Sequence, residues 1–149
     1  MQVALREARR AGARGEISVG AVVAVEGRII ARAGNGSIAS HDPTGHAEIR
    51  ALRRAARRLG TYRLTDATVV VTLEPCVMCM GAMVHARVGR VVFGAADPKT
   101  GAASSVYRIG DDRRLNHRVP AIGGVLGAEA GALLREFFAR RRREKRPDR

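Results

Sequence analysis

The chain has 149 residues and carries 27 lysines and arginines against 14 aspartates and glutamates, which gives a formal net charge of +13 at pH 7. This length suffices for one hydrophobic core but not for two, so we expect a single domain over residues 1–149, and the positive charge predicts an anionic partner such as nucleic acid rather than a merely solvated basic surface. No stretch is long and apolar enough to span a membrane, and the arginine-rich amino terminus lacks the apolar region of a signal peptide. The two cysteines of the chain are too closely spaced to crosslink distant elements, which predicts a reducing, cytoplasmic setting.

Helix-like and strand-like hydrophobic patterns alternate along the chain. They predict, in order, a helix over residues 1–13, strands over 19–25 and 28–33 with a Glu26-Gly27 turn between them, a helix over 44–59, a strand over 67–73, a helix over 76–87, a strand over 90–95, a weak edge strand over 119–125 and a helix over 128–143. Residues 67–95 therefore form a βαβ unit, and a basic tail occupies residues 140–149. The predicted fold class is α/β, a three-layer α/β/α domain with a mixed central sheet of five strands.

Both cysteines of the chain, Cys76 and Cys79, lie in one Cys-x-x-Cys sequence directly after Pro75. Their i, i+3 spacing places both thiols on one face of the first turn of the predicted helix, where one metal ion can bind both. Alone, such a pair is equally consistent with a redox site or with two buried apolar cysteines. A zinc ion needs a third ligand, and His46 is favoured because it stands where a helix begins. These three ligands leave the fourth position for water, as in a catalytic site.

Glu48 follows His46 by two residues and lies on the apolar stripe of the predicted helix over 44–59, together with Leu52 and Ala55. A carboxylate that faces the core is either paired or has a raised pKa, and a raised pKa beside a metal-activated water suits a proton shuttle. The alternative is a buried glutamate that is satisfied by backbone amides. Because residues i and i+2 point about 200° apart in a regular helix, His46 and Glu48 reach one pocket only if His46 sits at the very start of that helix.

The compound pattern His-x-Glu followed by Pro-Cys-x-x-Cys is the signature of the zinc-dependent deaminases. From Val19 to the last predicted helix, the chain resembles the bacterial tRNA-specific adenosine deaminases of the cytidine deaminase superfamily. The blocks at residues 46–49 and 75–79 are shared with deaminases of free bases and nucleosides, whereas those at 97–102 and 116–119 resemble the tRNA-editing branch. The resemblance implies a cytidine deaminase-like fold.

The members of that branch convert the wobble adenosine of a tRNA anticodon to inosine by hydrolytic deamination. The resemblance therefore implies a homodimer that binds a tRNA anticodon stem-loop and holds one Zn²⁺ per subunit through His46, Cys76 and Cys79. It implies that Glu48 carries protons between the attacking water, the adenine ring and the leaving ammonia. It also implies substrate contacts from a set of polar, aromatic and basic residues: Asn35, Asp97, Lys99, Asn116, Phe138 and Arg141.

Local sequence offers simpler interpretations for several of these contacts. Asn35 stands between two glycines and Asp97 stands before a proline, so both are typical of residues that only form turns. The last predicted helix continues from Phe138 directly into arginines, which is also typical of a packed helix with a frayed cationic end. The resemblance favours a role in RNA binding, and local sequence by itself does not.

Two other functions are consistent with parts of the pattern. One is a deaminase of a free base or small nucleoside, of guanine, cytosine or cytidine type, on the same scaffold; such an enzyme has no need of a net charge of +13. The other is a non-catalytic zinc-containing RNA-binding module, in which Glu48 has no chemical role. The salt dependence of turnover distinguishes the first from RNA editing, and a Glu48→Gln variant distinguishes the second.

Overall fold

Five strands and five helices form the part of the chain that the computed structural model describes, residues 1–145. In chain order the elements are α1 (Gln2–Ala13), β1 (Gly20–Val25), β2 (Arg28–Gly34), α2 (Ser37–Ser40), α3 (Ala47–Leu59), β3 (Ala67–Leu73), α4 (Val77–His85), β4 (Arg90–Ala95), β5 (Ala121–Ile122) and α5 (Gly127–Glu144), with one turn of 3₁₀ helix at Ile109–Asp111. Every helix and strand that the hydrophobic pattern predicts is present. The bounds of β3 and β4 coincide with the predicted ones.

The strands form one mixed sheet in the order β2-β1-β3-β4-β5. β1 is antiparallel to β2 and to β3, whereas β3, β4 and β5 run parallel. Glu26 and Gly27 join β1 to β2 with positive φ angles of 49° and 74°, as a tight hairpin turn requires. The predicted five-stranded mixed sheet and the βαβ unit of β3, α4 and β4 are confirmed.

Helices cover both faces of the sheet and make the three predicted layers. α1 and α5 contact each other and the sheet, and α3 and α4 contact each other on the opposite side. The core between the layers contains strand residues without solvent exposure, among them Val23, Val69, Val71 and Val91. This packing brings the starts of α3 and α4 together, and those two helix starts carry the candidate site.

The segment before α3 differs from the prediction. α3 begins at Ala47 rather than at residue 44, because the Asp42 carboxylate accepts hydrogen bonds from the Thr44 amide at 2.8 Å and from the Thr44 hydroxyl at 2.7 Å, which hold the chain in a turn. The short helix α2 precedes this turn and is absent from the prediction, since four residues are too few to show a hydrophobic period. The end of α3 agrees with the prediction, because Gly60 has a φ of 68° and ends the helix.

Strand β5 spans Ala121–Ile122 instead of residues 119–125. Val119 donates its amide to the Gly110 carbonyl at 3.0 Å, away from the sheet. At the other end, Gly124 has a φ of 85° and turns the chain toward α5. The edge strand is therefore shorter than its apolar pattern suggests, because two local turns limit it on both sides.

Three arginines of α3 cover the other edge of the sheet. Arg50, Arg54 and Arg58 lie one helical turn apart and donate at 2.7, 2.7 and 3.0 Å to alternate carbonyls of the edge strand β2, those of residues 34, 32 and 30. Charged groups along an edge strand discourage pairing with another chain. The basic stripe of α3 thus supports the fold as well as contributing to the positive charge.

The basic carboxyl-terminal end continues the last helix. α5 runs to Glu144, so residues 140–144 of the predicted tail are helical. Residues 146–149 of that tail lie outside the described residues. Within residues 1–145, none of the helices has the length and apolar character that a membrane crossing requires.

Candidate active site

The starts of α3 and α4 meet and carry the three predicted metal ligands. His46 is the last extended residue before α3, with φ −66° and ψ 151°, and Cys76 holds the same place before α4, with φ −77° and ψ 176°. Cys79 lies in the first turn of α4 and has no solvent exposure. The Nδ1 atom of His46 lies 3.6 Å from Cys76 Sγ and 3.5 Å from Cys79 Sγ. His46 therefore occupies the start of its helix, as the sequence requires for convergence with Glu48.

The spacing of these three atoms fits a zinc ion. In a tetrahedral site with Zn–S bonds of about 2.3 Å and a Zn–N bond of about 2.0–2.1 Å, a sulfur and a nitrogen ligand are separated by about 3.5–3.6 Å. Both observed distances from nitrogen to sulfur agree with this value, and the three ligand atoms all lie within 4.8 Å of one another. Three protein ligands leave one tetrahedral position open, which is typical of catalytic zinc sites.

The chemistry of the two sulfurs also matches a cation. A hydrogen bond from the Cys79 thiol, assisted by His46 and opposed by burial, lowers the pKa of Cys76 to about 4. The same hydrogen bond, together with burial, raises the pKa of Cys79. By itself the pair therefore holds one negative charge. A divalent cation, together with the positive ends of the α3 and α4 dipoles, allows both sulfurs to ionise.

Glu48 lies in the first turn of α3 and is 4% exposed, as its place on the apolar stripe predicts. Burial raises the pKa of its carboxyl group to about 6, although a backbone amide and the neighbouring His46 and Cys79 oppose the shift. A carboxyl group with this pKa can accept a proton and release it near neutral pH. The arrangement therefore combines a three-ligand metal site with an acid–base group that bulk water does not reach.

Comparison with known proteins assigns this arrangement to a family. Residues 1–95, which include the three metal ligands and Glu48, match the family described as the cytidine and deoxycytidylate deaminase zinc-binding region. The chain is 49% identical over 147 residues to the tRNA-specific adenosine deaminase of Haemophilus influenzae. The alignment covers 98% of this chain and 85% of that protein. The chain is 43% identical over 146 residues to the tRNA-specific adenosine deaminase of Bacillus subtilis, covering 98% of this chain and 91% of that protein. The chain belongs to the cytidine and deoxycytidylate deaminase family.

Solved structures of deaminases share the fold. This deaminase matches a structure from a study of A-to-I editing by tRNA:A34 deaminases with a TM-score of 0.87 and 43% identity, covering 90% of this chain and 97% of that chain. It matches the guanine deaminase of Nitrosomonas europaea with a TM-score of 0.80 and 26% identity, covering 93% and 82%. The family identifies zinc as the cofactor of this deaminase, and His46, Cys76 and Cys79 are positioned to bind it.

Asn35 lies in the loop between β2 and α2 of this deaminase and is 4% exposed. The next residue, Gly36, donates its amide to the Gly45 carbonyl at 2.9 Å, and Gly45 directly precedes His46. The Asn35 side chain donates from Nδ2 to the Glu16 carboxylate at 3.2 Å. The structure thus bonds the loop that carries Asn35 to the residue before His46 and to Glu16, which lies before β1.

Asp97 and Lys99 lie in the loop that follows β4. The Asp97 carboxylate accepts hydrogen bonds from the amides of Lys99 at 2.9 Å and Thr100 at 3.2 Å, so Asp97 forms the turn that local sequence indicates. Its own amide donates to the Glu74 carboxylate at 3.0 Å. Lys99 is exposed at the outer end of this turn. The loop therefore reaches the site through Glu74, which is two residues before Cys76.

Glu74 holds the whole of this loop. Besides the Asp97 amide, its carboxylate accepts the amides of residues 103, 104 and 105 at 3.2, 2.7 and 2.9 Å, and the Ser105 hydroxyl. Burial raises the pKa of Glu74, but these donors outweigh it and keep the pKa below its ordinary value. Gly101 is needed for this close packing, because a Cβ there would lie 2.4 Å from the carboxyl carbon of Glu74.

The remaining predicted contacts lie on two surfaces next to these loops. Asn116 is exposed and accepts a hydrogen bond from Arg87 at 2.7 Å; it borders a groove that also contains Val77, the neighbour of Cys76. Phe138, which is 45% exposed, and Arg141 border a separate groove on α5. Ile17 and Ile38 line the opposite side of that groove, so it adjoins the loop that carries Asn35.

Glu16 and Glu74 are the two residues of the site that the sequence analysis does not identify. Both are 2% exposed, and each stands next to a buried strand: Glu16 before β1 and Glu74 directly after β3. A lone carboxylate in such a place is a usable signal, because a buried charge needs partners. The partners themselves lie 19 to 31 residues further along the chain, where no local pattern reveals them.

Proposed function

We propose that this protein is a tRNA adenosine deaminase that converts the wobble adenosine of a tRNA anticodon to inosine by hydrolysis, releasing ammonia. The observation that carries the proposal is the buried Glu48 beside three converging metal ligands, in a chain 49% identical to a tRNA-specific adenosine deaminase over 98% of its length. The net charge of +13 supports an RNA substrate rather than a free base.

The chemistry follows from the residues of the site. When bound, zinc supplies the Lewis acid that makes water a nucleophile at neutral pH. Glu48, with its pKa raised to about 6, accepts the proton that the attacking water loses. It passes protons to the adenine ring nitrogen and to the amino group that leaves as ammonia. A carbon–oxygen bond forms at the ring carbon where the carbon–nitrogen bond breaks, and inosine results.

The contacts to the nucleotide come from the loops around the site. We assign Asn35 to the flipped nucleotide, since its loop is bonded to the residue before His46. We assign Asp97 to the neighbouring ribose or backbone and the exposed Lys99 to a phosphate, because Glu74 ties their loop to the start of α4. Asn116 offers an exposed amide at the rim of the groove that begins at Val77.

The groove on α5 is suited to single-stranded RNA. Its volume is about 310 Å³, and aromatic, aliphatic and basic side chains line it: Ile17, Ile38, Phe137, Phe138, Arg141, Arg142 and Lys145. Bases stack on exposed aromatic rings, and guanidinium groups bind phosphates and stack on bases. We therefore assign Phe138 and Arg141 to the nucleotides that flank the edited adenosine.

We further propose that the protein acts in the cytoplasm as a homodimer of single-domain subunits, paired through the outer faces of α3 and α4. Between these helices lies an open groove of about 340 Å³ with a largely apolar lining, which includes Ile49, Leu52, Ala56, Leu64 and Ala82. Tyr62 borders this groove and is 61% exposed. Ala56 and Ala82 are partly exposed in this groove, and apolar surface beside an exposed tyrosine is typical of an interface. Sedimentation equilibrium tests this, with a variant at a partly exposed position of the groove, Ala82→Asp, expected to sediment as a monomer.

The test of the activity is direct. Purified, zinc-loaded protein is incubated with an anticodon stem-loop that carries adenosine at the wobble position, and inosine is scored beside reactions with free adenine, guanine, adenosine and cytidine. We expect inosine in the stem-loop alone. Turnover confined to a free base, as the name of the structurally similar guanine deaminase describes, would contradict the proposal of an RNA substrate. It would not contradict the proposed metal chemistry. Zinc-loaded protein that binds RNA without any turnover would overturn catalysis.

A further inference from the structure

Glu16 is a buried carboxylate that the proposed chemistry does not use. It is 2% exposed and lies in the loop between α1 and β1. Its oxygens accept three hydrogen bonds, from Asn35 Nδ2 at 3.2 Å, from the Ile38 amide at 3.2 Å and from the Ala39 amide at 2.7 Å. Glu16 therefore ties the loop that carries Asn35, and the start of α2 after it, to the amino-terminal layer.

The Glu16 carboxyl group is ionised at neutral pH. Burial raises its pKa, but the amides of Ala39 and Ile38, the Asn35 side chain and the charge of Arg50 together keep the pKa below its ordinary value. An ionised carboxylate accepts hydrogen bonds and donates none. Glu16 consequently binds the amino end of the Asn35 amide, and this determines which way the amide points.

The carbonyl end of the Asn35 amide is left for a ligand. Within residues 1–145, no donor makes a hydrogen bond to Asn35 Oδ1. This oxygen keeps some contact with solvent, because Ser37 Oγ is the described side-chain atom that is both fully buried and unpaired. The amide of Gly36 bonds the same loop to the residue before His46. Asn35 Oδ1 is thus an oriented acceptor in a loop that is bonded to the residue before His46.

We propose that Glu16 is a positioning residue that fixes Asn35 as a hydrogen-bond acceptor, so that Asn35 selects a nucleotide presenting a hydroxyl or amino donor at this point. The inference rests on the proposed function, because the donor belongs to the edited nucleotide. Two donors of an adenosine suit this oxygen, the ribose 2′-hydroxyl and the exocyclic amino group. A substrate that presents an acceptor there leaves two acceptors facing each other and loses roughly 10- to 100-fold in kcat/KM.

A reciprocal exchange between the two residues tests the proposal. Glu16→Gln allows the Asn35 amide to turn over, and Asn35→Asp sets two carboxylates against each other. We expect each single variant to lower kcat/KM for the stem-loop by roughly 10- to 100-fold, mainly through KM. In the double variant E16Q/N35D the donor and the acceptor are exchanged, and an acceptor again faces the substrate. We expect the double variant to exceed both single variants but to recover only part of the loss, because an amide nitrogen at residue 16 no longer accepts the Ile38 amide.

Two results overturn the proposal. One is a Glu16→Gln variant with wild-type kcat/KM, and the other is a folded double variant that is no better than the worse single variant. Glu7→Gln is the matched control, because Glu7 is also buried, at 8% exposed, but pairs with Arg10 and Arg32 instead of Asn35. We expect it to keep wild-type kcat/KM, and thermal unfolding of every variant separates orientation from loss of fold.

A measurement on the wild type keeps the proposal testable if the variants do not fold. The Asn35 side-chain amide donates to a buried carboxylate. We therefore expect NMR to show that one of its two protons is protected from exchange with solvent. Rapid exchange of both protons would overturn the proposal. Because this measurement needs no turnover, it also separates failure of the inference from failure of the proposed function, which a wild type without inosine formation would show.

The identity of the donor follows from a modified substrate. A stem-loop with 2′-deoxyadenosine at the edited position lacks the ribose hydroxyl but keeps the amino group. If the hydroxyl is the donor, kcat/KM of the wild type falls roughly 10- to 100-fold with this substrate. The kcat/KM of Glu16→Gln should then be the same with this substrate as with the unmodified stem-loop. An unchanged kcat/KM for the wild type assigns the donor to the amino group. If the modified substrate lowers kcat/KM by the same factor in the wild type and in Glu16→Gln, Asn35 does not bind the ribose hydroxyl, and the proposal then requires the amino group as the donor.

Discussion

The metal centre and the loops around it are built by different means. His46, Glu48, Cys76 and Cys79 all lie at the starts of α3 and α4, where the backbone of each helix start sets their directions and packing brings the two starts together. The loops that carry Asn35 and Asp97 have little regular structure, and buried carboxylates from elsewhere in the chain hold them. The chemistry thus depends on local backbone geometry, whereas the substrate contacts depend on hydrogen bonds between distant segments. Mutations should separate the two.

The largest effect is expected at the centre. Glu48→Gln keeps the size of the side chain but removes the acid–base group, so turnover should fall by about 10²- to 10⁴-fold. The zinc content should remain that of the wild type, because the three ligands are unchanged. Inosine formation and metal analysis of the same sample measure both. Turnover near the wild-type rate would show that Glu48 is a structural carboxylate, and Glu129→Gln, on the exposed side of α5, is the control.

A smaller effect is expected where Glu74 holds the Asp97 loop. Glu74→Gln replaces one accepting oxygen by a donor that faces other donors, so the free energy of unfolding should fall by about 2–3 kcal/mol. Because the loop moves while the ligands stay, kcat/KM should fall more than zinc affinity does. Urea unfolding, inosine assays and zinc titration measure the three quantities. Equal losses of zinc affinity and kcat/KM would contradict the separation of loop and centre.

The same variant has a pH signature. The pKa of Glu74 is lower in the folded chain than its usual value of 4.5, so its charge stabilises the fold fully above that value, and the contribution disappears as the pH falls through the folded-state pKa. The difference in unfolding free energy between the wild type and Glu74→Gln should therefore be largest at neutral pH and shrink in acid. A difference that grows in acid would show that the carboxyl group is not ionised in the fold.

A few-fold effect is expected on the α5 groove. Arg141 borders this groove, and Arg135 on the same helix does not. Arg141→Ala should weaken binding of the stem-loop by about 3- to 10-fold and reduce the slope of log affinity against log salt by about 0.7–0.9, the value for one phosphate contact. Arg135→Ala should change neither quantity. Filter binding at several salt concentrations checks this, and equal effects of the two variants would indicate nonspecific attraction.

The smallest effect is expected at the sheet edge. Arg54→Ala removes a donor to the Arg32 carbonyl, whereas Arg57→Ala removes an exposed arginine of the same helix that makes no such bond within residues 1–145. Arg54→Ala should lower the Tm by roughly 1–2 °C and Arg57→Ala by less. The loss of Tm in Arg54→Gln, which keeps a donor, should lie between the losses in Arg54→Ala and Arg57→Ala. A reversed order would show that the arginine row does not stabilise the edge.

Much of the fold was predictable because hydrophobic period and helix-ending residues act locally. The apolar runs of β3 and β4 coincide with the strands, and Gly60 ends α3 as predicted. The misplaced start of α3 and the shortened β5 have a common cause, since turns made by Asp42 and Gly124 compete with the apolar pattern. The hydrophobic period shows which residues are apolar. It carries little information on which turns end a helix or a strand.

By itself, the sequence indicated the chemistry: His46 and Glu48 at a helix start, combined with Cys76 and Cys79 after a proline, form the compound signature of the zinc-dependent deaminases and predict a metal site with a buried proton carrier. Only the tertiary structure decided how Asn35 and Asp97 are held. Their partners Glu16 and Glu74 lie 19 and 23 residues away along the chain. Helix geometry is set by each residue's near neighbours, whereas a buried charge is satisfied by whichever amides the fold brings to it, and no pattern of near neighbours encodes that choice.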